Sequence, residues 1–210
     1  ETLRKLKRMS RSTMGMEELV VGTICGGSDA TSGITANPAI GRTFDHLVSQ
    51  GAAAIFEETG ELIGCEQIMV KRAVTPGLGR ELVRSVAKAA RYYHRLGHGS
   101  FAVGNADGGL TTQEEKSMGA YSKSGASKIS GLIKPGDIPP CGGLYLLDIV
   151  PDGGVRFGFP NINDSSEIAE LIACGAHLIL FSTGRGSVVG SAIAPVIKIC
   201  ANPETYRRMK

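Results

Sequence analysis

Short runs of apolar residues recur along the chain, and each run is closed by glycine, proline or charged residues. Five of these runs predict buried β-strands, at residues 19–25, 52–58, 144–150, 178–182 and 195–201. Between them, apolar positions recur at the spacing of one helix face. That spacing predicts helices at residues 38–50, 62–72, 79–96, 112–123 and 165–174, with a last helix beginning at Pro203.

The alternation of strands and helices determines the expected architecture. Strands that alternate with helices favour parallel pairing, because the chain must cross back over the sheet before the next strand begins. We therefore expect an α/β, Rossmann-like fold, with a mostly parallel sheet and helices on both faces, and an unusual crossover stays open. The domain is expected at residues 18–210, after a basic segment at residues 1–17 that is a linker or a cut helix.

Composition and charge narrow the expected partners. The net charge is only +3, and a basic cluster lies in the first segment, at Arg4, Lys5, Lys7, Arg8 and Arg11. No aromatic residues alternate with these charges, so a solvated segment is favoured over a nucleic-acid contact. No apolar run has the length of a membrane span. Five scattered cysteines without a C-x-x-C pair indicate a reducing cytoplasm. These features argue against a nucleic-acid or membrane partner.

Glycine clusters follow the predicted strands, where parallel sheets bind their ligands. The first strand is followed by Cys25, Gly26, Gly27, Ser28 and Asp29, and then by a helix. Backbone N–H groups in such a turn, together with the start of a helix, can bind a carboxylate or phosphate. A plain tight turn is the equally weighted alternative, and Cys25 alone is more typical of a buried structural thiol.

Acidic residues cluster after the second strand. Glu57, Glu58 and Glu61 lie at or beyond its end, and Glu66 begins the next predicted helix. Such carboxylates often only complement a helix dipole. They can also supply hard oxygen ligands to a divalent cation, or a general base.

Two further loops carry polar residues with chemical potential. In the run Thr183, Gly184, Arg185 and Gly186, a guanidinium lies between glycines, where it can bind a carboxylate with two parallel hydrogen bonds. Solvation of a lone loop arginine is the alternative. Glu115 and Lys116 lie at a predicted helix start, and a proton-transfer role there is weighted equally with ordinary surface charge patterning.

Taken in order, these loops resemble the altronate and galactarate dehydratase family, which includes the large subunit of sulfolactate sulfo-lyase. The matching stretches are CGGSDATSGITANPAIG (25–41), EETGELIGCEQ (57–67), GGLTTQEEKSMG (108–119) and FSTGRGSVVGSAIAPVIK (181–198). The resemblance implies elimination of water from a polyhydroxy carboxylic acid such as altronate or galactarate, with a divalent metal, usually Fe²⁺, although Mn²⁺ or another divalent ion is an alternative.

The resemblance also implies roles for individual residues. It makes Cys25, Asp29, Glu58 and Glu66 the expected metal ligands, and Lys116, Glu115 and Glu58 the proton-transfer candidates. The substrate is expected to contact a larger set of loop residues: Gly26, Gly27, Ser28, Thr183, Gly184, Arg185 and Gly186. Many family members have histidine where this chain has Gln67, and glutamine is a poor metal ligand and no base.

The resemblance leaves alternatives for the whole protein. The sulfo-lyase branch would release sulfite from a sulfonated carboxylic acid. A non-catalytic anion-binding or assembly module is an alternative from another class. The family's enzymes also carry further segments, so we expect residues 18–210 to be the catalytic part of a longer enzyme, with a separate small N-terminal domain or subunit and a homo-oligomeric assembly.

Overall fold

The computed structural model describes residues 4–5, 7–97, 99–101, 103–152 and 163–209. Within them lie six strands: β1 Val20–Cys25, β2 Ala53–Phe56, β3 Ile129–Ile133, β4 Gly143–Leu147, β5 Leu178–Thr183 and β6 Val196–Cys200. The main helices are α1 Ala36–Ser49, α2 Glu66–Arg72, α3 Pro76–Leu96, α4 Val103–Asp107, α5 Gln113–Tyr121, α6 Asp164–Ala173 and α7 Pro203–Met209. Short 3₁₀ turns lie at Met16–Glu18, Thr59–Leu62 and Ser122–Ser124.

All six strands run parallel in one sheet, in the order β3-β4-β2-β1-β5-β6. The chain moves outward from β1 to β2, passes over the neighbouring position to the edge strand β3, and returns with β4. It then crosses to the other side of β1 for β5 and β6. The predicted Rossmann-like α/β fold is confirmed. The connection from β2 to the edge strand β3 is an unusual crossover of the kind that the sequence analysis allowed.

Helices cover both faces of the sheet, and each face has its own apolar cluster. One cluster joins the strands to Ile40 and Phe44 of α1 and to Met69 of α2. The other joins them to Ile168 and Leu171 of α6. Successive strand residues alternate between the two clusters, as in any pleated strand. The two apolar clusters, one on each face, fix the strands. The polar residues just beyond the strands therefore lie together at the carboxyl edge of the sheet.

The long helix α3 contributes to both clusters. Leu82 packs in the first and Tyr92 in the second. Its start is fixed by Thr75, whose side chain accepts a hydrogen bond from the N–H of Leu78 at 3.1 Å, and by Pro76 in the first turn. The helix also contacts the 3₁₀ turn Thr59–Leu62, which lies beyond the carboxyl end of β2.

Several details differ from the sequence-based expectations. Strand β3 was missed, because Ser130 and Gly131 interrupt its short apolar run. Two pairs of neighbouring parallel strands are joined without a helix: residues 134–142 join β3 to β4, and residues 184–195 join β5 to β6.

The first segment agrees with the expectation of a solvated segment. Its five basic residues, from Arg4 to Arg11, are exposed. No helix in the described ranges combines the length and apolar character that a bilayer crossing requires.

Candidate functional site

The site begins where β1 ends, at Cys25. The Cys25 side chain is buried, and the next two positions leave no room for a residue larger than glycine. A Cβ on Gly26 would lie 2.2 Å from Oδ2 of Asp164. Gly27 has a φ of +62°, a left-handed conformation that favours glycine. The two glycines let the chain turn sharply directly after Cys25, at the carboxyl edge of the sheet.

The loop after β1 is tied to the loop after β5. The carbonyl oxygen of Gly27 accepts hydrogen bonds from the N–H groups of Gly184 at 3.1 Å and Arg185 at 2.8 Å. The Arg185 guanidinium packs against α4, since a Cβ on Gly104 would lie only 2.6 Å from Nη1. The two glycine-rich loops that the sequence predicted to be neighbours therefore contact each other.

Two carboxylates from beyond β2 reach Cys25. Glu58 has a left-handed backbone with a φ of +72°, the one positive value among the described non-glycine residues. Its carboxylate accepts hydrogen bonds from the Cys25 N–H at 3.1 Å and from Sγ at 3.2 Å. Sγ also lies 3.4 Å from Oε2 of Glu61, which is part of the following 3₁₀ turn. Strained conformations of this kind concentrate at functional sites.

Two lysines complete this group. Lys123 forms an ion pair with Glu58, and both side chains are almost completely buried. Lys116 lies 2.6 Å from Oε1 of Glu61 and donates a hydrogen bond to the carbonyl oxygen of Ser100 at 2.5 Å. We call Cys25, Glu58, Glu61, Lys116 and Lys123 the central cluster. It contains three acidic groups and two ammonium groups in a buried position.

Helix α5 positions Lys116. Its first residue follows Thr112, whose side chain accepts a hydrogen bond from the Glu115 N–H at 3.1 Å. The Glu115 carboxylate in turn accepts hydrogen bonds from the N–H of Thr111 at 2.6 Å and from its hydroxyl at 2.7 Å. Glu115 thus stabilises the start of the helix, whereas Lys116 points into the central cluster.

Burial and mutual charge shift the pKa values of the cluster. Burial raises the pKa of the Cys25 thiol, and Glu58 and Glu61 raise it further. Burial also raises the pKa of Glu58 to about 7, against the opposing effect of Lys123. For Glu61, burial alone would raise the pKa, but Lys116 and Lys123 lower it. At neutral pH the thiol is protonated and Glu58 is close to half titrated.

Burial would lower the pKa of both lysines, yet both pKa values are raised. Lys116 is stabilised as an ammonium mainly by Glu61, and Lys123 by its ion pair with Glu58. The positive charge on each lysine therefore depends on its acidic neighbours. A change in charge on one acidic group will alter the protonation of the lysine beside it.

The acidic groups are close enough to share one cation. One ligand atom from each of Cys25, Glu58 and Glu61 lies within 4.8 Å of the others. A cleft of about 10 Å³ reaches this point, lined by Cys25, Ser28, Glu61 and Lys116 among others, and it has about the volume needed for one water or ion. Thiolate and carboxylate donors together suit Fe²⁺, Zn²⁺ or Mn²⁺. The donor set fits such an ion, provided that the two ammonium groups turn aside.

Comparison with known proteins gives this arrangement a family. The family model described as D-galactarate/Altronate dehydratase, C-terminal, matches residues 16–210. The chain belongs to this family. The resemblance carried by the four loop motifs is thereby confirmed.

Curated relatives of this dehydratase family are similar over nearly the whole chain. Altronate dehydratase of Bacillus subtilis is 34% identical over 199 residues, which is 93% of this chain and 38% of the relative. The (2R)-sulfolactate sulfo-lyase subunit beta of Chromohalobacter salexigens is 33% identical over all of this chain and 52% of its own length. Galactarate dehydratase (L-threo-forming) of Escherichia coli is 35% identical over 98% of this chain and 38% of its own length. The chain thus spans about half or less of these relatives.

Two predicted metal ligands lie outside the group of possible cation ligands. Asp29 is buried, but its Oδ1 accepts hydrogen bonds from both the N–H and the hydroxyl of Thr31 and of Ser32, and its Oδ2 accepts one from Asn202 at 3.3 Å. It is therefore engaged in holding the loop. Glu66 starts α2 and is not among the described acidic residues that converge. In this member of the family, Cys25 and Glu58 are the predicted ligands that come together.

The predicted substrate-binding residues surround the same loops. Ser28 donates a hydrogen bond to Sγ of Cys25 at 3.3 Å. Thr183 accepts one from the N–H of Gly186 at 2.9 Å, so its hydroxyl orders the turn. Arg185 is exposed, and its guanidinium has no hydrogen bond or ion pair within the part of the chain that the structure describes. Arg185 is thus the member of this set with an available charge.

Two members of the central cluster were not among the predicted site residues. Glu61 was noted only as part of an acidic run, yet it lies three residues after Glu58 and is brought back by the 3₁₀ turn. Lys123 lies seven residues after Lys116, a spacing that returns to the same helix face. That spacing was the available signal. Gln67 is exposed on α2.

Glu57, next to the central cluster in sequence, belongs to the other face of the sheet. It is buried, and neither carboxylate oxygen has a hydrogen-bond partner within the described residues. Burial raises its pKa, and the nearby Glu167 of α6 raises it further. Both effects favour the protonated form of the carboxyl group.

Proposed function

We propose that this chain carries the catalytic region of a metal-dependent lyase that eliminates water from a polyhydroxy carboxylic acid, giving a deoxy-keto acid. The observation that carries the proposal is the convergence of Cys25, Glu58 and Glu61 within 4.8 Å at the carboxyl edge of the sheet. The family relatives that are dehydratases by name supply the reaction class. Altronate and galactarate are the first substrates to test.

In this proposal, Cys25, Glu58 and Glu61 would hold a divalent cation, Fe²⁺ or Mn²⁺. When bound, the cation would supply Lewis-acid polarisation of the substrate oxygens. Arg185 would bind the substrate carboxylate, since its backbone is bonded to the loop that follows Cys25 and its guanidinium has no partner in the described residues. The N–H groups of Gly26 and Gly27 would line the same approach.

Elimination also requires a proton acceptor and a proton donor. Glu58 has a pKa of about 7 and can exchange a proton at neutral pH. It would accept the proton from the carbon next to the carboxylate. Lys116, held as an ammonium by Glu61, would protonate the hydroxyl group as its carbon–oxygen bond breaks. Water and an enol result, and the enol tautomerises to the keto acid.

Metal content tests the proposal independently of turnover. We expect the chain, loaded anaerobically with Fe²⁺ or Mn²⁺ and then dialysed, to retain about one ion per molecule by elemental analysis. Cys25→Ser and Glu61→Gln should abolish retention. Glu66→Gln is the matched control, because Glu66 lies outside the converging group. Retention that is equal in all four proteins would contradict the proposed site.

Glu58 has two candidate roles, and one variant separates them. Glu58→Gln that still retains metal but has lost turnover would assign proton transfer, whereas loss of both would assign metal binding. Turnover is measured with aldonates and aldarates, by the appearance of a 2-keto acid. If the chain binds these acids without metal and never converts them, the non-catalytic module becomes the better description.

Carbon–sulfur cleavage is the second candidate. The sulfo-lyase subunit aligns with 100% of this chain and with 52% of its own length, more of its length than is aligned in either of the dehydratases described above. The same metal and carboxylate sites would serve a sulfonated acid, with sulfite as the leaving group. Release of sulfite from sulfolactate, without keto acid formation from altronate or galactarate, would favour this branch. A further domain or subunit and a homo-oligomeric assembly remain predictions, to be checked by light scattering.

A further inference from the structure

A second group of charges lies at the carboxyl ends of β3 and β4, away from the central cluster. Lys88 of α3 lies 2.7 Å from Asp148 and 2.6 Å from Asp152, and Lys134 lies 2.8 Å from each of the same two carboxylates. We call these four residues the edge network. Two lysines and two carboxylates make the network neutral overall. Because each lysine contacts both carboxylates, the four side chains fix one another in position.

A cavity of about 390 Å³ opens beside the edge network. That volume lies within the range of small-molecule sites. Arg84 and Arg91 of α3 also line it. They lie seven residues apart on one helix face, with Lys88 between them. Neither guanidinium forms a hydrogen bond or ion pair within the described residues. Glu81 is the remaining carboxylate on the wall, so the cationic side chains outnumber the acidic ones by one.

The floor of this cavity contains an unsatisfied hydroxyl. Ser85 is 4% exposed, and its Oγ has no hydrogen-bond partner in the described part of the chain. A helical serine usually bonds to solvent or to the carbonyl one turn back. Here the hydroxyl lines the same cavity as the two unpaired arginines. A buried donor without an acceptor is costly, and a bound oxygen atom would satisfy it.

We propose that this cavity binds a small oxyanion with two negative charges, a phosphate or a dicarboxylate. Arg84 and Arg91 would each donate paired hydrogen bonds to its oxygens, and Ser85 would donate one from below. The ion pairs of the edge network fix the rim of the cavity, and the net positive charge of the wall comes from Arg84 and Arg91. The site is separate from the central cluster, and its occupancy does not depend on the proposed lyase activity.

Calorimetric titration of the whole chain with inorganic phosphate, and separately with malonate, tests the proposal in a low-salt cationic buffer. We expect one site with a dissociation constant of about 1 mM or tighter for at least one anion. Binding of phosphate alone would identify a phosphate site, and binding of malonate alone would identify a dicarboxylate site. Either result supports the proposal. No saturable heat with either anion overturns it.

Variants separate a built site from general charge. Arg84→Gln and Arg91→Gln should each weaken binding about tenfold, which corresponds to about 1.4 kcal/mol. Ser85→Ala should weaken it less. Arg80→Gln is the matched control, since Arg80 is exposed on the same helix and does not line the cavity. Equal weakening by Arg80→Gln would show that the net charge of the helix binds anions, and the proposal would fail.

Discussion

The central cluster and the edge network both pair lysines with carboxylates at the carboxyl edge of the sheet. They differ in burial, and the pKa values of their carboxylates differ as a result. Each has two lysines and two carboxylates in ion pairs. In the pair of Lys123 and Glu58, the side chains are 2% and 4% exposed, whereas Lys134 is 34% and Asp152 is 70% exposed. Water therefore screens the pair of Lys134 and Asp152 and does not screen the pair of Lys123 and Glu58.

The comparison teaches that ion pairing by itself does not create reactivity. In the edge network, the lysines lower the pKa of Asp152 to about 2, so this carboxylate keeps its charge at every physiological pH. In the central cluster, burial outweighs Lys123 and leaves Glu58 with a pKa of about 7. One region is a permanent structural contact, and the other can gain or lose a proton under cellular conditions.

The largest expected effect comes from removing the buried lysine. Lys123→Met leaves the Glu58 carboxylate without its buried partner, and we expect the free energy of unfolding to fall by about 3–5 kcal/mol. Urea denaturation followed by circular dichroism, in the presence of a chelator, measures the change. Lys123→Met with stability equal to the wild type would show that the buried pair is not the contact described here.

A smaller effect is expected from pH, with opposite signs in the two regions. The pKa of Glu58 is raised from 4.5, so its contribution to stability is present below about pH 4.5 and is lost as pH rises through about 7. The pKa of Asp152 is lowered from 3.8, so its contribution is present above that value and is lost as pH falls through about 2.

We therefore expect the chelated protein to lose about 2–3 kcal/mol of stability through Glu58 between about pH 5 and pH 8. Denaturation at several pH values measures the slope. Glu58→Gln should reduce the slope, while Asp152→Asn should leave it unchanged in this window. Part of the slope remains in Glu58→Gln because the pKa of buried Glu57 is raised as well. A slope equal to that of the wild type would show that Glu58 does not contribute.

The smallest effect is expected in the edge network. Lys134→Met leaves Asp148 and Asp152 paired with Lys88, and Asp152 is largely solvated. We expect less than about 1 kcal/mol of lost stability. The same urea titration serves as the measurement, side by side with Lys123→Met. A loss as large as that of Lys123→Met would remove the contrast between the two regions.

The sequence predicted most of the fold because its strands are continuous apolar runs. Residues 19–25 and 178–182 were identified almost to the residue, since strands buried on both faces need apolar side chains throughout. Strand β3 was missed because Gly131 and Ser130 replace apolar residues there. The helix-free crossovers could not be predicted, because their conformation depends on contacts with distant parts of the chain.

The site was only partly predictable, for a related reason. Cys25 ends β1 and Glu58 lies two residues beyond β2, so the rule that ligands bind at carboxyl ends was enough to find them. Asp29 lies in the loop after β1, but its side chain turns back and bonds to the N–H groups of Thr31 and Ser32 in the same loop. Side-chain direction in a loop depends on local hydrogen bonds that sequence spacing does not reveal. For Lys123, the helix periodicity was available and was not used.

The position of β1 in the sheet has a consequence for how the chain folds as it is made. Its neighbour on one side is β2, close in sequence, but its neighbour on the other side is β5, and Thr23 of β1 bonds to Leu180 of β5 across 157 residues. Until synthesis passes β5, one hydrogen-bonding side of the middle strand stays open to pairing with other nascent chains. Fewer chains made at one time, through weak induction during expression, should therefore increase the yield of folded protein, since each chain then meets fewer partners during this interval.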